Sequence, residues 1–153
     1  MKAVIQRVTS AKVVADGVLS GEIEKGFMVL LGVEEEDTAA HAKVMAEKVA
    51  NLRIFTDEND KMNLSLLDIA GGALVVSNFT LCADTSHGRR PSFIGAKHPT
   101  EANELYQLFM SELKQCGIKQ VESGVFGAHM QVSIENNGPV TIILDTDDWK
   151  IKL

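Results

Sequence analysis

The stretch "MQVSIENNGPVTIIL", residues 130–144, carries two conflicting signals about the fold. Its first half alternates apolar and polar residues, as a half-buried strand does, and its second half is apolar again. An Asn-Gly pair between two such strands predicts a tight type I′ hairpin turn. Pro139 follows at once, however, and has no N–H group with which to close that turn or join the ladder. We therefore predict strands over 128–135 and 139–145 with an unusual connection between them.

Most of the remaining chain has the pattern of short strands. The longest apolar run, "FMVLLGV" at 27–33, is far shorter than the roughly 20 residues of a membrane span and predicts a buried central strand. The other predicted strands cover residues 2–9, 11–15, 18–24, 52–57, 71–81 and 118–126.

Two stretches have the spacing of amphipathic helices. Thr38 offers an N-cap for a helix that runs to about Asn51, and Thr100 offers one for a helix that ends before Gly117. A chain of 153 residues is long enough for one domain with a substantial core. We predict a single α+β domain over residues 1–153, with a mostly antiparallel, barrel-like sheet and two main helices.

Composition argues weakly against a broad nucleic-acid-binding face. The net charge is −6 and aromatic residues make up only 5% of the chain, which disfavours both a basic surface and a base-stacking platform. A narrow site for one nucleotide end is compatible with both values. Two cysteines without metal-ligand spacing, and no apolar leader at the N-terminus, indicate a reduced, cytoplasmic protein.

Two segments could carry chemistry. The loop at 82–99 is long and irregular, which is common for functional loops; its Arg89 and Arg90 could contact a phosphate or be solvated charges. Ahead of it, "SNFTL" at 77–81 ends a strand, so its hydroxyls are either potential nucleophiles or part of a buried strand. The four histidines lack ligand spacing, and we predict no metal and no cofactor.

Two motifs together resemble a known family. "SNFTL" and "NGPVT" at 137–141 are similar to the two signature motifs of the D-aminoacyl-tRNA deacylases. The resemblance covers nearly the whole chain, because "AVIQRV", "LLGV", "RIF…KMN", "RPSF" and "GVFGAHMQVS" occur in the expected order. The family usually has Gln where Asn78 stands, so the resemblance does not define the contacts of that side chain.

The resemblance implies a homodimer that hydrolyses the ester between a D-amino acid and the 3′ adenosine of tRNA, and also removes glycine mischarged onto tRNA. It implies a cis bond between Gly138 and Pro139, inserted into the active site of the partner subunit. There the two carbonyls would leave no room for an L side chain, and Arg7 would brace the inserted segment.

The resemblance also implies the catalytic residues. Ser77 and Asn78 begin the catalytic segment, and the backbone N–H groups of Phe79 and Thr80 would stabilise the oxyanion. Phe126, Ala128 and Met130 would line the adenosine pocket. The Thr80 hydroxyl is a candidate nucleophile, but substrate assistance by the terminal 2′-OH is the preferred hypothesis. The alternatives are a non-catalytic nucleic-acid-binding module and a small-molecule hydrolase that uses Thr80 or Ser77.

Overall fold

The computed structural model describes residues 1–151, so the last two residues of the predicted domain lie outside the described part. The strands are β1 (Lys2–Ala15), β2 (Val18–Ile23), β3 (Gly26–Gly32), β4 (Phe55–Thr56), β5 (Met62–Leu64), β6 (Gly72–Ser77), β7 (Val121–Ser123) and β8 (Met130–Asp145). The helices are α1 (Ala39–Asn51) and α2 (Pro99–Gln115), with short 3₁₀ helices at Phe79–Cys82 and Thr146–Asp148. Two helices and one barrel-like sheet are confirmed.

The main sheet is mixed: three of its five strand pairs are antiparallel, in line with the predicted mostly antiparallel sheet, and two are parallel. Its order is β2-β1-β3-β6-β7, and β8 also pairs with β1. The pairs β3–β6 and β6–β7 are parallel because α1 and α2 provide the crossovers that parallel neighbours need. The two ends of the sheet approach each other where the Ser20 hydroxyl donates to the Ser123 carbonyl at 2.8 Å, so the barrel is nearly closed.

The sheet separates two apolar clusters. One face packs against both helices, and its core includes Phe27, Val75 and Phe109. The opposite face lines the barrel interior, where Met28 and Leu74 are fully buried. Successive strand residues point to opposite faces, so uniformly apolar β3 and β6 contribute to both clusters. Among residues 1–151, no helix is both long enough and apolar enough to span a membrane.

The predicted division into separate strands at 128–135 and 139–145 is wrong, and no hairpin turn forms at Asn137-Gly138. Residues 130–145 form one strand whose two halves both pair with β1, because β1 continues unbroken through the predicted break between 2–9 and 11–15. Gln6 lies opposite Thr141 and Val8 lies opposite Asn136, so residues 137–140 bulge outward across from Arg7. Proline is tolerated at such a bulge because no ladder donor is needed there.

Several other predicted boundaries are corrected. The strand at 52–57 is reduced to Phe55–Thr56, that at 118–126 to Val121–Ser123, and that at 71–81 ends at Ser77. The cap of α2 is His98 instead of Thr100, since its Nδ1 accepts from the Thr100 N–H at 3.3 Å and Pro99 takes the first helical position. The Thr38 cap of α1 is confirmed.

The acidic run before α1 and the polar C-terminal segment meet at the first residue. The Met1 ammonium donates at 2.7 Å both to Asp37 and to the Thr146 hydroxyl, and it lies 3.1 Å from Glu34. Asp37 is buried, so the ammonium compensates a carboxylate that would otherwise be costly to bury. These bonds hold the end of β8 against the start of β1.

Candidate active site

The segment Ser77–Thr80 leaves the sheet at the end of β6. The Asn78 N–H still donates to the Leu31 carbonyl at 2.8 Å, and the 3₁₀ helix begins at the next residue. Gly32 permits this close approach, because a Cβ there would lie 2.9 Å from the Leu81 Cβ. Packing against β3 therefore fixes the position of the turn.

Two N–H groups of this turn are left for an external acceptor. The backbone bonds around it are donated by Asn78, Leu81 and Ala83. Within residues 1–151, neither Phe79 nor Thr80 donates from its backbone N–H to a carbonyl. Neighbouring free N–H groups on a fixed turn can stabilise negative charge on a carbonyl oxygen.

The Thr80 hydroxyl donates to the Oδ1 of Asn78. Since that proton is directed to an amide oxygen, this contact does not activate the hydroxyl as a nucleophile. The neighbouring Cys82 is buried, which raises the pKa of its thiol to about 11 and keeps it protonated near neutral pH. Neither side chain has the environment of an activated nucleophile.

A cavity of about 670 Å³ opens beside the turn. Ser77, Asn78 and Phe79 line it, together with Phe126, Ala128 and Met130, so the structure brings these six predicted residues together. The other lining residues are Leu30, Val33, Val76, Phe93, Ala96, Lys97, His98, Pro99, Ala102, Gly127 and Val132. Thr80 belongs to the turn but does not line the cavity.

Sequence reasoning missed the wall formed by the irregular loop and the start of α2. Phe93 packs edge-on against Phe79 with ring centroids 5.1 Å apart. Lys97 also lines the cavity, and its ammonium is held by the Glu35 carbonyl at 2.6 Å and by Glu101 at 3.6 Å. Phe93 is the only phenylalanine of the irregular loop, and this was the one sequence feature from which the wall could have been predicted.

The opposite wall is braced from behind. The Tyr106 ring lies 6.0 Å from that of Phe126, and its hydroxyl donates to the Val75 carbonyl at 2.8 Å. Burial raises the pKa of Tyr106 to about 12, so it stays a neutral donor. Val75 lies two residues before Ser77, so one side chain supports both the cavity wall and the strand that carries the turn.

Gly138 and Pro139 lie on the exposed bulge of β8, and neither they nor Arg7 line the cavity of the same chain. The peptide bond between them is cis, as expected. Arg7 donates from Nε to the Asn137 carbonyl at 3.0 Å, and the Asn136 side chain accepts from the Val140 N–H at 2.9 Å. The structure therefore separates the two signature motifs within one protomer.

Outside the site, carboxylate oxygens of Glu34, Asp145 and Asp147 lie within 4.8 Å of one another. Lys2 lies 3.2 Å from Glu34 and 3.3 Å from Asp145. Burial lowers the pKa of Lys2, but its hydrogen bonds to these two acids outweigh burial and hold it above the ordinary value. Lys2 therefore compensates two of the three carboxylates, and no predicted site residue belongs to this cluster.

Comparison with known proteins agrees with the motifs. The family model of D-Tyr-tRNA(Tyr) deacylase matches residues 4–145. Proteins described as D-aminoacyl-tRNA deacylase from Fervidobacterium nodosum and Thermosipho africanus are 52% and 55% identical over 146 residues, covering 95% of this chain and 97% of each relative.

Solved structures share the fold. The c-Myc DNA unwinding element binding protein has a TM-score of 0.89 at 41% identity, covering 95% of this chain and 98% of that one. A probable eukaryotic D-amino acid tRNA deacylase has a TM-score of 0.81 at 17% identity, covering 94% of this chain and 97% of that one, and supports the fold alone. The chain therefore belongs to the D-Tyr-tRNA(Tyr) deacylase family, whose members are hydrolases of the aminoacyl-tRNA ester bond.

Proposed function

We propose that this chain hydrolyses the ester between a D-amino acid and the terminal adenosine of tRNA, and likewise removes glycine mischarged onto tRNA. The observation that carries the proposal is a nucleoside-sized cavity beside a turn with two free backbone N–H groups. Its volume lies within the range typical of small-ligand pockets.

The N–H groups of Phe79 and Thr80 bind the ester carbonyl and stabilise the oxyanion as the tetrahedral intermediate forms. Backbone donors suit this role because the packing of the turn against β3 fixes them before substrate arrives. Ser77 and Asn78 hold the turn at the end of β6. The adenosine binds between Phe126, Ala128 and Met130, where apolar lining favours a base.

Water, assisted by the terminal 2′-OH of the tRNA, is the nucleophile. This assignment is supported by the Thr80 hydroxyl, whose proton is donated to Asn78, and by the absence of a histidine contact to that hydroxyl among residues 1–151. The Asn78 side chain is one methylene shorter than the usual Gln, and in this chain its amide oxygen holds Thr80. No metal or cofactor takes part in the proposed reaction.

Chirality is checked by Gly138 and Pro139 of a second subunit. Support comes from the separation of the two motifs within one chain and from the rigid attachment of the bulge through Arg7. Ile143 on the same strand is 76% exposed, as expected for a residue that a partner covers. A fixed pair of carbonyls clashes with every L side chain, whereas glycine has no side chain to clash.

The proposed reaction takes place in the cytoplasm, where aminoacyl-tRNA is used. The buried Cys82 and half-buried Cys116 are both free thiols, which is consistent with a reducing compartment. The homodimer would contain two equivalent sites, each made from both subunits.

The test is parallel incubation with D-Tyr-tRNA, L-Tyr-tRNA and Gly-tRNA. We expect rapid release of D-tyrosine and glycine and no release of L-tyrosine above the uncatalysed rate. A nucleic-acid-binding module would bind all three without turnover, and a small-molecule esterase would hydrolyse simple aryl esters equally well. Equal hydrolysis of both tyrosine enantiomers would refute the chiral role of the bulge.

A further inference from the structure

Beside the cavity stands a segment that the proposed chemistry does not use. Asp84 and Ser92 exchange two backbone hydrogen bonds, of 2.8 and 2.9 Å, and so close residues 84–92 into a hairpin-like loop. We name this segment the basic arm, because its exposed tip carries His87, Arg89 and Arg90.

Both ends of the basic arm lie at the rim of the active site. Only Ala83 separates its first residue, Asp84, from the 3₁₀ helix of the catalytic turn, which ends at Cys82. Its last residue precedes Phe93, which lines the cavity and packs on Phe79. Arg90 is three residues from Phe93, so its Cα lies within about 11 Å of that of Phe93 even if the chain is fully extended.

The two arginines of the basic arm have no acidic partner in the part of the chain that the structure describes. Among residues 1–151, neither guanidinium forms a salt bridge. The only acid in the arm, Asp84, accepts two hydrogen bonds from Ser86, which lower its pKa and satisfy it locally. Two unpaired arginines are notable on a chain whose net charge is −6.

We propose that the basic arm binds backbone phosphates of the tRNA acceptor end. The inference rests on the proposed function, because an ester bound in the cavity requires the polynucleotide to leave across its rim. Arginine binds phosphate oxygens through its planar fork of donors, and such contacts position a nucleic acid without reading its sequence. The arm thus sets tRNA affinity, while the cavity and the turn set the chemistry.

The experiment compares Arg89→Gln/Arg90→Gln with the intact enzyme on two substrates. One is D-Tyr-tRNA, and the other is the D-tyrosyl ester of adenosine, which carries no phosphate. We expect kcat/KM to fall on the tRNA and to change less than about twofold on the nucleoside ester. The salt dependence of tRNA binding should weaken, with the log–log slope decreasing by about 1.4–1.8 for two lost phosphate contacts.

When salt is raised from 50 to 200 mM, the tRNA affinity of both proteins falls. With this slope change, the fall is about 7- to 12-fold smaller for the variant than for the intact enzyme. The charge-matched control is Lys114→Gln/Lys119→Gln, with Lys114 in the last turn of α2 and Lys119 just after the helix; Lys114 lies about 18 Å along the helix from Ala102, the last residue of α2 that lines the cavity. This control should behave as the intact enzyme on both substrates. Arg89→Lys/Arg90→Lys should restore most of the salt slope, since lysine keeps the charge.

The proposal fails if the glutamine variant keeps its kcat/KM on tRNA and its salt slope, or if both substrates lose activity equally. Binding of uncharged tRNA, measured by fluorescence anisotropy, separates it from the proposed function. The intact enzyme could hydrolyse neither substrate and still bind tRNA with a salt slope that decreases in the glutamine variant. In that case the proposed function is wrong, and the proposal that the basic arm binds phosphates is supported. If binding is independent of the arm, the basic arm proposal is wrong whatever the activity.

Discussion

Arg7 donates from its Nε to the carbonyl oxygen of Asn137 at 3.0 Å, although the two residues are 130 positions apart. The same guanidinium donates to the Ile54 carbonyl at 3.0 Å and lies 3.3 Å from the Thr56 hydroxyl. One side chain therefore ties the bulge of β8 to β4. The bulge is exposed, yet its base is fixed to two separate parts of the fold.

Arg7→Lys should lower activity because an ammonium cannot reach both carbonyls with the geometry of a guanidinium. We expect kcat/KM on D-Tyr-tRNA to fall about tenfold, equivalent to roughly 1.4 kcal/mol of lost transition-state stabilisation. Steady-state kinetics measure this change. Arg53→Lys is the control: the side-chain hydrogen bond of Arg53 goes to the exposed Asn63 and not to the bulge, so this variant should leave the rate unchanged. Intact kinetics in Arg7→Lys would mean that the bulge needs no brace.

Gly138→Ala should be more damaging than its small size suggests. Gly138 has a φ of +136°, and a Cβ there would lie 2.8 Å from the Val140 Cγ2 and 3.1 Å from the Arg7 Nη2. The bulge must shift, so we expect a loss of about 10²-fold or more in kcat/KM, as for other displaced catalytic groups. Gly17→Ala is the matched control, because Gly17 also has positive φ but no atom within 4 Å of the added carbon.

Both glycine variants should lose some stability from the backbone conformation alone, about 1–3 kcal/mol. Thermal unfolding compares the two. If Gly17→Ala impairs hydrolysis as severely as Gly138→Ala, the effect comes from general destabilisation and not from the shape of the bulge.

Periodic patterns predicted the parts of the fold that depend on local sequence. The amphipathic stripe of α1 and the apolar run of β3 appear where residues 38–51 and 27–33 placed them. The path of residues 136–140 was not predictable in this way. Asn-Gly favours a hairpin locally, but pairing of both flanks with one long β1 decides the outcome, and that pairing is a tertiary contact.

One part of the candidate site could likewise be predicted from local sequence, and another part could not. The motif at residues 77–80 marked the turn, because polar residues interrupt an apolar strand there. Phe93 and Lys97 reach the cavity through the path of an irregular loop, which no period describes. β6 is parallel to both of its neighbours because a helical crossover precedes it and another follows it. The two parallel pairs could therefore be predicted only by knowing which strands each helix connects.

Thr80→Ala should retain measurable activity. If the backbone N–H groups stabilise the oxyanion and the ribose assists water, removing the hydroxyl costs less than the roughly 10²–10³-fold typical of a lost oxyanion donor. Replacing the terminal 2′-OH of the tRNA by hydrogen should cost more. Single-turnover rates compare the two changes. An acyl-Thr80 adduct detected by mass spectrometry would show instead that the hydroxyl is the nucleophile.

Because of Tyr106, the free energy of unfolding should depend on pH in the alkaline range. Its pKa is about 12 in the folded protein because of burial, against about 10 in an unfolded chain. Below pH 10 the tyrosine is protonated in both the folded and the unfolded state, and its full contribution to the free energy of unfolding is present. As pH rises from 10 to 12, the tyrosine loses its proton in the unfolded state first. This favours the unfolded state, so the protein is destabilised. The expected loss is about 2–3 kcal/mol over this window.

Tyr106→Phe should remove this part of the pH dependence. Its cost at neutral pH should be only about 1 kcal/mol, because the Val75 carbonyl still accepts from the Gly124 N–H at 3.2 Å. Urea unfolding of both proteins between pH 9 and 12 measures the difference. Parallel pH curves for the two proteins would contradict the assignment to Tyr106.

The last prediction tests whether each active site combines two subunits. Thr80→Pro removes one backbone N–H donor, and Gly138→Ala displaces the bulge, so each homodimer should be severely impaired. A heterodimer of the two variants, isolated through a different affinity tag on each chain, would contain one site with an intact turn and an intact bulge. The other site would carry both defects.

By the two-fold symmetry of such a dimer, the heterodimer should recover about half the activity of the unmodified enzyme. If the turn and the bulge of one chain served the same site, every site in the heterodimer would carry one defect, and no activity would return. Because Gly138 and the cavity do not meet within one chain, we expect recovery. Circular dichroism of each variant before assembly verifies that Thr80→Pro is folded, so a lack of recovery would count against the shared site itself.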